Sequence, residues 1–287
     1  MISIVTPSFN QGRFIEETIV SVVGQGCLDL EYIVIDGGSD DETLDIIKKY
    51  EDRLAWWVSE PDGGQYDALN KGFAKSTGEI MGWLNSDDKY TPWTLSVAAE
   101  IFRQLPEVEW LTSMYPLVWD EKGRAVRCAP RGPFNGDDFF KGDNLPGMGR
   151  QATGWIQQEA TFWRRSLWER AGGSLDASMS YAGDFELWAR FFKLGVLYAA
   201  DVPLGGFRRY GAQKTGTAPD KYKQEALQAL LRHGGKPRGQ PAAAIAHGCK
   251  RICPNRLKPL MSELHLITLG KVCVFDTDSG RWGVVER

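Results

Sequence analysis

No apolar run in this 287-residue chain approaches the roughly 18 residues that a membrane-spanning helix needs. No transmembrane segment is therefore expected. Met1 leads straight into Ile2-Ser3-Ile4-Val5 without a basic stretch, so no secretory signal is read there. Cysteine is sparse: Cys27, Cys128, Cys249, Cys253 and Cys273 are odd in number and scattered. That pattern fits reduced thiols in a cytoplasm better than a disulfide framework. Cys249 and Cys253 are close in sequence, but no second Cys/His pair at zinc spacing follows, which argues against a zinc site. A basic excess is missing too, since the net charge is −3. The chain lacks the global positive field that nucleic-acid binding uses. No G-x-G-x-x-G opens the first helix, which disfavours a dinucleotide oxidoreductase. Internal repeats are absent.

What is present describes a globular protein. Hydrophobic residues make up 43% and charged residues 25%, ordinary values for a chain with a real core. The length suits one large domain or two small ones. Tryptophan is in excess, with 11 residues. Tryptophan fills cores, and it also holds flat apolar ligands and sugar rings.

The first part of the chain alternates strand and helix signals. Ile2 to Thr6 reads as a buried strand, followed by a helix from Phe14 to Val23 that stops at Gly24. Tyr32 to Ile35 is a second strand, closed by Asp36-Gly37-Gly38. Ser39 with Glu42 makes a capping-box pattern for a helix through Tyr50. Leu54 to Ser59, Gln65 to Ala74 and Ile80 to Leu84 continue the alternation as strand, helix and strand. Pro92 opens a further helix. Such repetition predicts a mostly parallel sheet with helices on both faces. Ligands then sit at the carboxyl ends of the strands, where Ser8/Asn10, Asp36 and Asp87/Asp88 cluster.

Beyond Val108 the pattern changes. Short strands are expected at Trp110–Ser113 and Leu117–Trp119. Pro130 to Gly154 reads as a long loop. Helices are read at Ser166–Ala171, Asp184–Leu194 and Lys221–Arg232, and a strand at Val196–Ala199. Lys236, Arg238, Lys250, Arg251, Arg256 and Lys258 form a basic segment with no acid until Glu263. A hairpin about Asp278-Ser279-Gly280 closes the chain.

Several side chains could carry chemistry. Adjacent Asp87 and Asp88 repel, and Mg²⁺ or Mn²⁺ would relieve that repulsion with oxygen ligands; an N-cap and turn before Pro92 is the plainer alternative. Asp36 could bind a ligand's N–H or hydroxyl, or serve the Gly37-Gly38 turn. Asp184 could be a general base or a simple N-cap. Arg208, Arg209, Gln213 and Lys214 could grip phosphate, or form a solvated loop.

Together these segments resemble family 2 glycosyltransferases, inverting enzymes of GT-A fold. The resemblance is carried by Thr6-Pro7-Ser8-Phe9-Asn10, by Val34 to Ser39 with Asp41 and Thr43, and by Glu60 to Gly72. It continues in Gly78-Glu79, Trp83 to Asp88, Gln158 to Arg165 and Gly183 to Trp188. Coverage runs from about Met1 to Thr217, and the order and spacing of the motifs make it specific.

The resemblance implies an α/β GT-A (nucleotide-diphospho-sugar transferase) fold. It implies a mostly parallel central sheet with helices on both faces and a small antiparallel acceptor-side sheet. Residues 1–217 would be the catalytic domain, with 1–105 as the nucleotide-sugar half and 106–217 as the acceptor half. Residues 218–287 would be a C-terminal extension. Pro7, Phe9, Asn10, Asp36, Asp67, Lys71, Asn85 and Ser86 would bind the donor nucleotide. Asp87, with Asp88 as the alternative ligand, would hold Mn²⁺ or Mg²⁺, and Asp184 would be the catalytic base.

Two departures stand out. Asn85 replaces the Asp that usually begins the family's DXD motif. Tyr210 stands where many relatives carry a His. Arg208, Arg209 or Lys214 would then supply part of the leaving-group stabilisation. Trp155, Trp188 and Tyr181 are candidates for stacking on acceptor sugar.

The implied activity is sugar transfer from a nucleotide-diphosphate donor, with UDP or dTDP favoured by an Asp that reads a pyrimidine imide. The acceptor would be a hydroxyl of a glycan, lipid-linked or protein-linked molecule in surface polysaccharide or glycoconjugate assembly. The protein would be cytoplasmic. Its basic segment fits either peripheral contact with an anionic membrane or a solvated tail. The competing reading is a catalytically weak or inactive nucleotide-binding protein of the same fold. A nucleotidyltransferase is disfavoured, because Ser8-Phe9-Asn10-Gln11-Gly12 is no glycine-rich phosphate loop.

Overall fold

The computed structural model describes residues 1–145, 154–211, 213, 218–239, 257 and 269–287. Strand β1 (Ile2–Ser8), helix α1 (Ile15–Val23), β2 (Leu30–Asp36), α2 (Thr43–Lys49), β3 (Trp56–Ser59), α3 (Gln65–Lys75) and β4 (Ile80–Trp83) alternate as the sequence predicts. Next come β5 (Lys89–Tyr90), α4 (Thr94–Gln104), β6 (Trp110–Ser113), β7 (Leu117–Trp119), β8 (Ala125–Cys128) and α5 (Gly136–Phe140). Then follow β9 (Phe162–Arg164), α6 (Arg165–Arg170), α7 (Gly183–Leu194), β10 (Leu197–Ala200) and β11 (Gly205–Arg208). Helix α8 (Pro219–Arg232) and the hairpin of β12 (Lys271–Asp276) and β13 (Arg281–Glu286) complete the described elements.

Nine strands form one sheet, in the order β13-β12-β10-β6-β9-β4-β1-β2-β3. Pairing is parallel for β1 with β2 and β4, β2 with β3, and β10 with β6 and β12. Strand β9 runs antiparallel between β4 and β6, and β13 is an antiparallel edge. Strand β1 is buried along its whole length, as befits a strand covered on both faces. Gly72 lets α3 lie directly on β1, because an added Cβ would come 2.4 Å from Val5 Cγ1.

The second sheet corrects an expectation. Its order is β5-β11-β7-β8, and it is mixed rather than antiparallel, because β11 pairs with β7 in parallel. The expected long loop after Pro130 holds a short helix, α5, where Asn135 Oδ1 accepts from the Asp138 N–H at 2.9 Å. Residues 146–153 of that loop lie outside the described residues. Ser39 does not cap a helix. Its hydroxyl donates to Asp36 at 2.5 Å, and α2 begins only at Thr43.

Two apolar clusters cover the main sheet. One contains a block of tryptophans: Trp188 stacks on Trp83 and Trp110, with Trp163 edge-on. Most of the tryptophan excess thus fills the core. The hairpin belongs to the main sheet, and the backbone N–H of Trp282 donates to Gln104 on α4 at 2.9 Å. Among the described residues no helix is long and apolar enough to cross a membrane.

Candidate functional site

A cavity of about 730 Å³ opens at the carboxyl ends of β1, β2 and β4, where parallel sheets place ligands. Pro7, Phe9, Asn85, Ser86, Asp87 and Asp184 line it. A second cavity, of about 740 Å³, lies over the small sheet. The two share Gln158, Glu159, Asp184, Phe207, Tyr210, Gln213 and Tyr222. Asp184 therefore stands at their junction.

Asp184 is positioned from three sides. It lies in the first turn of α7. Tyr66 on α3 accepts the Gly183 N–H and donates to the Tyr181 carbonyl, each at 2.9 Å. Only glycine fits at 183, since a Cβ there would meet the Tyr66 ring at 2.7 Å. On α8, Glu225 accepts the N–H groups of Tyr181 and Ala182 at 2.8 and 2.9 Å, and Tyr222 donates to both Asp184 oxygens at 3.2 Å. Burial pushes the Asp184 carboxyl up to about 6, against the opposing hydrogen bonds from Phe185 N–H and Tyr222. A base poised near neutral pH is well placed for proton abstraction.

Glu159 is buried beside it and carries a carboxyl pushed up to about 7, by burial first and by the charges of Asp184 and Asp87. It sits in the Gln158–Arg165 motif, yet the sequence reading gave it no role. Tyr222 and Glu225 were missed as well. They fall beyond the resemblance, but a signal existed: Tyr222, Glu225, Ala226, Ala229 and Leu230 follow the i, i+3, i+4, i+7, i+8 spacing of one helix face.

The Asn85–Asp88 segment divides its labour. Asp87 faces the cavity, and Tyr210 donates its hydroxyl to Asp87 Oδ2 at 2.9 Å. Burial raises the Asp87 carboxyl, opposed by that bond. Asp88 is 0% exposed and turned inward, accepting the Arg208 N–H at 2.7 Å and the Asn85 amide at 3.1 Å. As an alternative metal ligand it is replaced by a structural role. Asn85 accepts from Gln65 at 2.7 Å and donates to Asp88 and, at 3.2 Å, to Gln158. An ionised Asp at 85 could make neither donation.

Other expected residues fall off the cavity. Asp36 is buried and saturated: Gly38 and Ser39 N–H and the Ser39 and Ser59 hydroxyls all donate to it. It anchors the turn. The cavity carboxylate in that region is Asp62, whose Oδ2 lies against Gly37. Asn10 accepts the Asp40 N–H at 3.0 Å and also holds the turn. Asp67 accepts the Gly63 N–H, and Lys71 pairs with Glu60 at 3.1 Å and Asp67 at 3.6 Å, so both brace the 60–64 loop. Arg208 is 0% exposed and spent on Glu17 and the Asp87, Asp120 and Glu121 carbonyls. It is not free for phosphate. Trp188 is core, as described. Arg209 and the 47%-exposed Trp155 line the second cavity. Lys214 lies outside the described residues.

Among the described residues no three His, Cys, Asp or Glu side chains converge as a metal cluster. Asp87 alone offers a carboxylate to the cavity in the 85–88 segment. That donor set fits a Mg²⁺ or Mn²⁺ that takes its other ligands from a bound diphosphate and water. In the basic segment, Arg238 lies 3.8 Å from both Asp138 and Asp143; Lys250, Arg251, Arg256 and Lys258 are outside the described residues.

Residues 3–148 match the profile of Glycosyl transferase family 2. An uncharacterized glycosyltransferase of Mycobacterium tuberculosis is 32% identical over 193 residues, spanning 66% of this chain and 68% of that one. Among solved structures, Staphylococcus aureus TarS 1-349 in complex with UDP-GlcNAc aligns with TM-score 0.60 and 16% identity, over 93% of this chain and 81% of that one. The mannosyltransferase PcManGT of Pyrobaculum calidifontis, in complex with GDP-Man and Mn²⁺, aligns with TM-score 0.57 and 18% identity, over 92% and 79%.

Proposed function

The chain belongs to glycosyl transferase family 2, a glycosyltransferase with the GT-A fold, and from that premise we propose that it is an inverting enzyme using a UDP- or dTDP-sugar. The acceptor is a hydroxyl of a glycan, lipid-linked or protein-linked molecule in surface polysaccharide or glycoconjugate assembly. One observation carries the reading: Asp184 borders both cavities. Donor in the first and acceptor in the second would meet at that carboxylate.

The nucleoside lies between Phe9 and Pro61, with Asp62 rather than Asp36 accepting the pyrimidine imide N–H. Its diphosphate points toward Asp87. When bound there, a divalent ion held by Asp87 and the diphosphate offsets charge on the leaving group. Asp184 takes the acceptor hydroxyl proton as that oxygen attacks the anomeric carbon. The bond to the diphosphate breaks on the opposite face, and its electron pair leaves with the nucleotide. Tyr222 holds the Asp184 carboxylate in line. The solved neighbours bound to UDP-GlcNAc and to GDP-Man with Mn²⁺ support a nucleotide-sugar donor.

Calorimetric titration with UDP, GDP and dTDP, each with and without Mn²⁺, tests this. Binding of one pyrimidine nucleotide, strengthened by Mn²⁺ and lost in Asp87→Asn, is the expected result. Failure of all three nucleotides to bind would overturn the proposal.

A further inference from the structure

The second cavity carries a charge pattern that sugar transfer alone does not require. Strand alternation puts residues i, i+2 and i+4 on one face. Arg127, Ala129 and Arg131 follow that spacing along β8 and beyond it, and all three line the cavity. Register places Arg127 opposite Val118 on β7, and Val118 opposite Phe207 on β11. Arg209, two residues after Phe207, lines the cavity as well. Three arginines thus share one wall. None of them forms an ion pair with a carboxylate among the described residues, whereas Arg208, on the opposite face of β11, is paired with Glu17 at 2.5 Å. Among the described residues the only acids on this cavity, Glu159 and Asp184, sit on the side it shares with the donor cavity.

Apolar residues fill much of the space between these groups. Pro116, Val118, Ala129 and Ile156 are among them. Trp155 is 47% exposed at the cavity's edge, with the Arg131 guanidinium 5.9 Å from the ring centre. An exposed indole gives a sugar ring a flat apolar face. A guanidinium fork matches the two oxygens of a carboxylate or phosphate.

We infer that the acceptor is an anionic glycan. Its sugar ring lies on Trp155, and its carboxylate or phosphate is held by Arg127, Arg131 and Arg209. The inference rests on the transferase reading above and specifies its acceptor. The site selects for an oxyanion on the same acceptor whose hydroxyl Asp184 deprotonates, since the arginines and Asp184 line one cavity. Uronates and phosphorylated sugars both carry that group.

The test titrates the full chain, with and without UDP, with three oligoglucosides of equal length. One ends in glucuronate, one in glucose 6-phosphate and one in plain glucose. The charged chains should bind about tenfold more tightly than the neutral one, the return of one charge-assisted hydrogen bond. That advantage should shrink with added salt and vanish in Arg127→Gln/Arg131→Gln/Arg209→Gln. The stronger of the two charged probes identifies the source of the oxyanion. Equal binding of charged and neutral chains overturns the inference. So does a charge preference that survives the triple substitution, or failure of every glycan to bind. UDP titration of the same samples separates the two claims, because none of the three arginines lines the donor cavity. UDP binding without charge preference sinks only the anionic acceptor, whereas loss of UDP binding by the unaltered chain strikes the transferase reading itself.

Discussion

The Tyr222 hydroxyl lies 3.2 Å from each carboxylate oxygen of Asp184, tying a residue of α8 to the acid at the junction of the two cavities. The bond joins α8 to α7, and both helices lie beyond the residues that match the family profile. Burial raises the Asp184 carboxyl, and Tyr222 partly restores its acidity by donating to the charged form.

The sign of the pH dependence follows. The base form of Asp184 exists above about 6, so kcat/KM should fall as pH drops through that value. Tyr222→Phe removes a donor to the carboxylate, and the inflection should move to higher pH. Asp184→Asn should lower turnover by about 10²–10⁴ while leaving UDP affinity nearly intact. An acidic limb that stays in place in Tyr222→Phe would show that the bond does not tune the base.

Trp155 and Trp188 should separate cleanly. Trp188 is 1% exposed and stacked between Trp83 and Trp110, so Trp188→Ala should cost about 3–5 kcal/mol in urea unfolding. Trp155→Ala should cost under about 1 kcal/mol and raise the acceptor KM with little change in kcat. A stability loss at Trp155 matching that at Trp188 would assign both to the core.

Arg208 should behave as a structural ion. It is fully buried against the half-exposed Glu17 and three backbone carbonyls. Arg208→Ala should cost about 3 kcal/mol, the low end for breaking a buried pair, because water reaches Glu17. The test is urea unfolding of the variant alongside UDP binding at a temperature where it stays folded. Normal stability with lost UDP binding would return Arg208 to the phosphate.

These residues show what the sequence could and could not disclose. Pro7, Asn85 and Asp87 stand at or just after strand ends, where the sheet rule brings them to one edge, and Asp184 opens a helix. Asp36, Asp88 and Arg208 occupy equally suggestive positions but point inward. Their direction depends on partners distant in sequence, such as Ser59 for Asp36 and Glu17 for Arg208. Residue type and spacing do not encode that choice. Arg127 and Arg131 were unremarked because an exposed edge strand looks like solvated surface until the small sheet is assembled.

Asn85 tests the same point from the other side. Its amide donates to Asp88 and Gln158, so Asn85→Asp removes two donations and adds a carboxylate beside a buried acid. Asp88 is already held well above the usual carboxylate range by burial and by Asp87. A neighbouring charge raises both groups further. The new acid's folded pKa would exceed its unfolded value, so the penalty is largest where it ionises in the unfolded chain. Destabilisation of about 1–3 kcal/mol is expected at pH 8 and less at pH 5. Urea unfolding at the two pH values measures it, and an equal loss at both would mean that charge is not the cause.

Glu159 should act on the leaving group through its charge. With its carboxyl at about 7, it is mostly neutral at pH 6 and mostly ionised at pH 8. Ionisation adds a negative charge to a cavity that, in the proposed function, receives a diphosphate. UDP affinity should therefore fall between those values by more than the nucleotide's own titration causes. Glu159→Gln keeps the shape and removes the charge. Comparing the variant with the unaltered chain cancels the titration of UDP, whose phosphate ionises near 6. Calorimetry at pH 6 and pH 8 should show a steeper decline in the unaltered chain than in Glu159→Gln. Parallel declines would leave Glu159 outside the electrostatics of the donor site and make its burial a matter of packing alone.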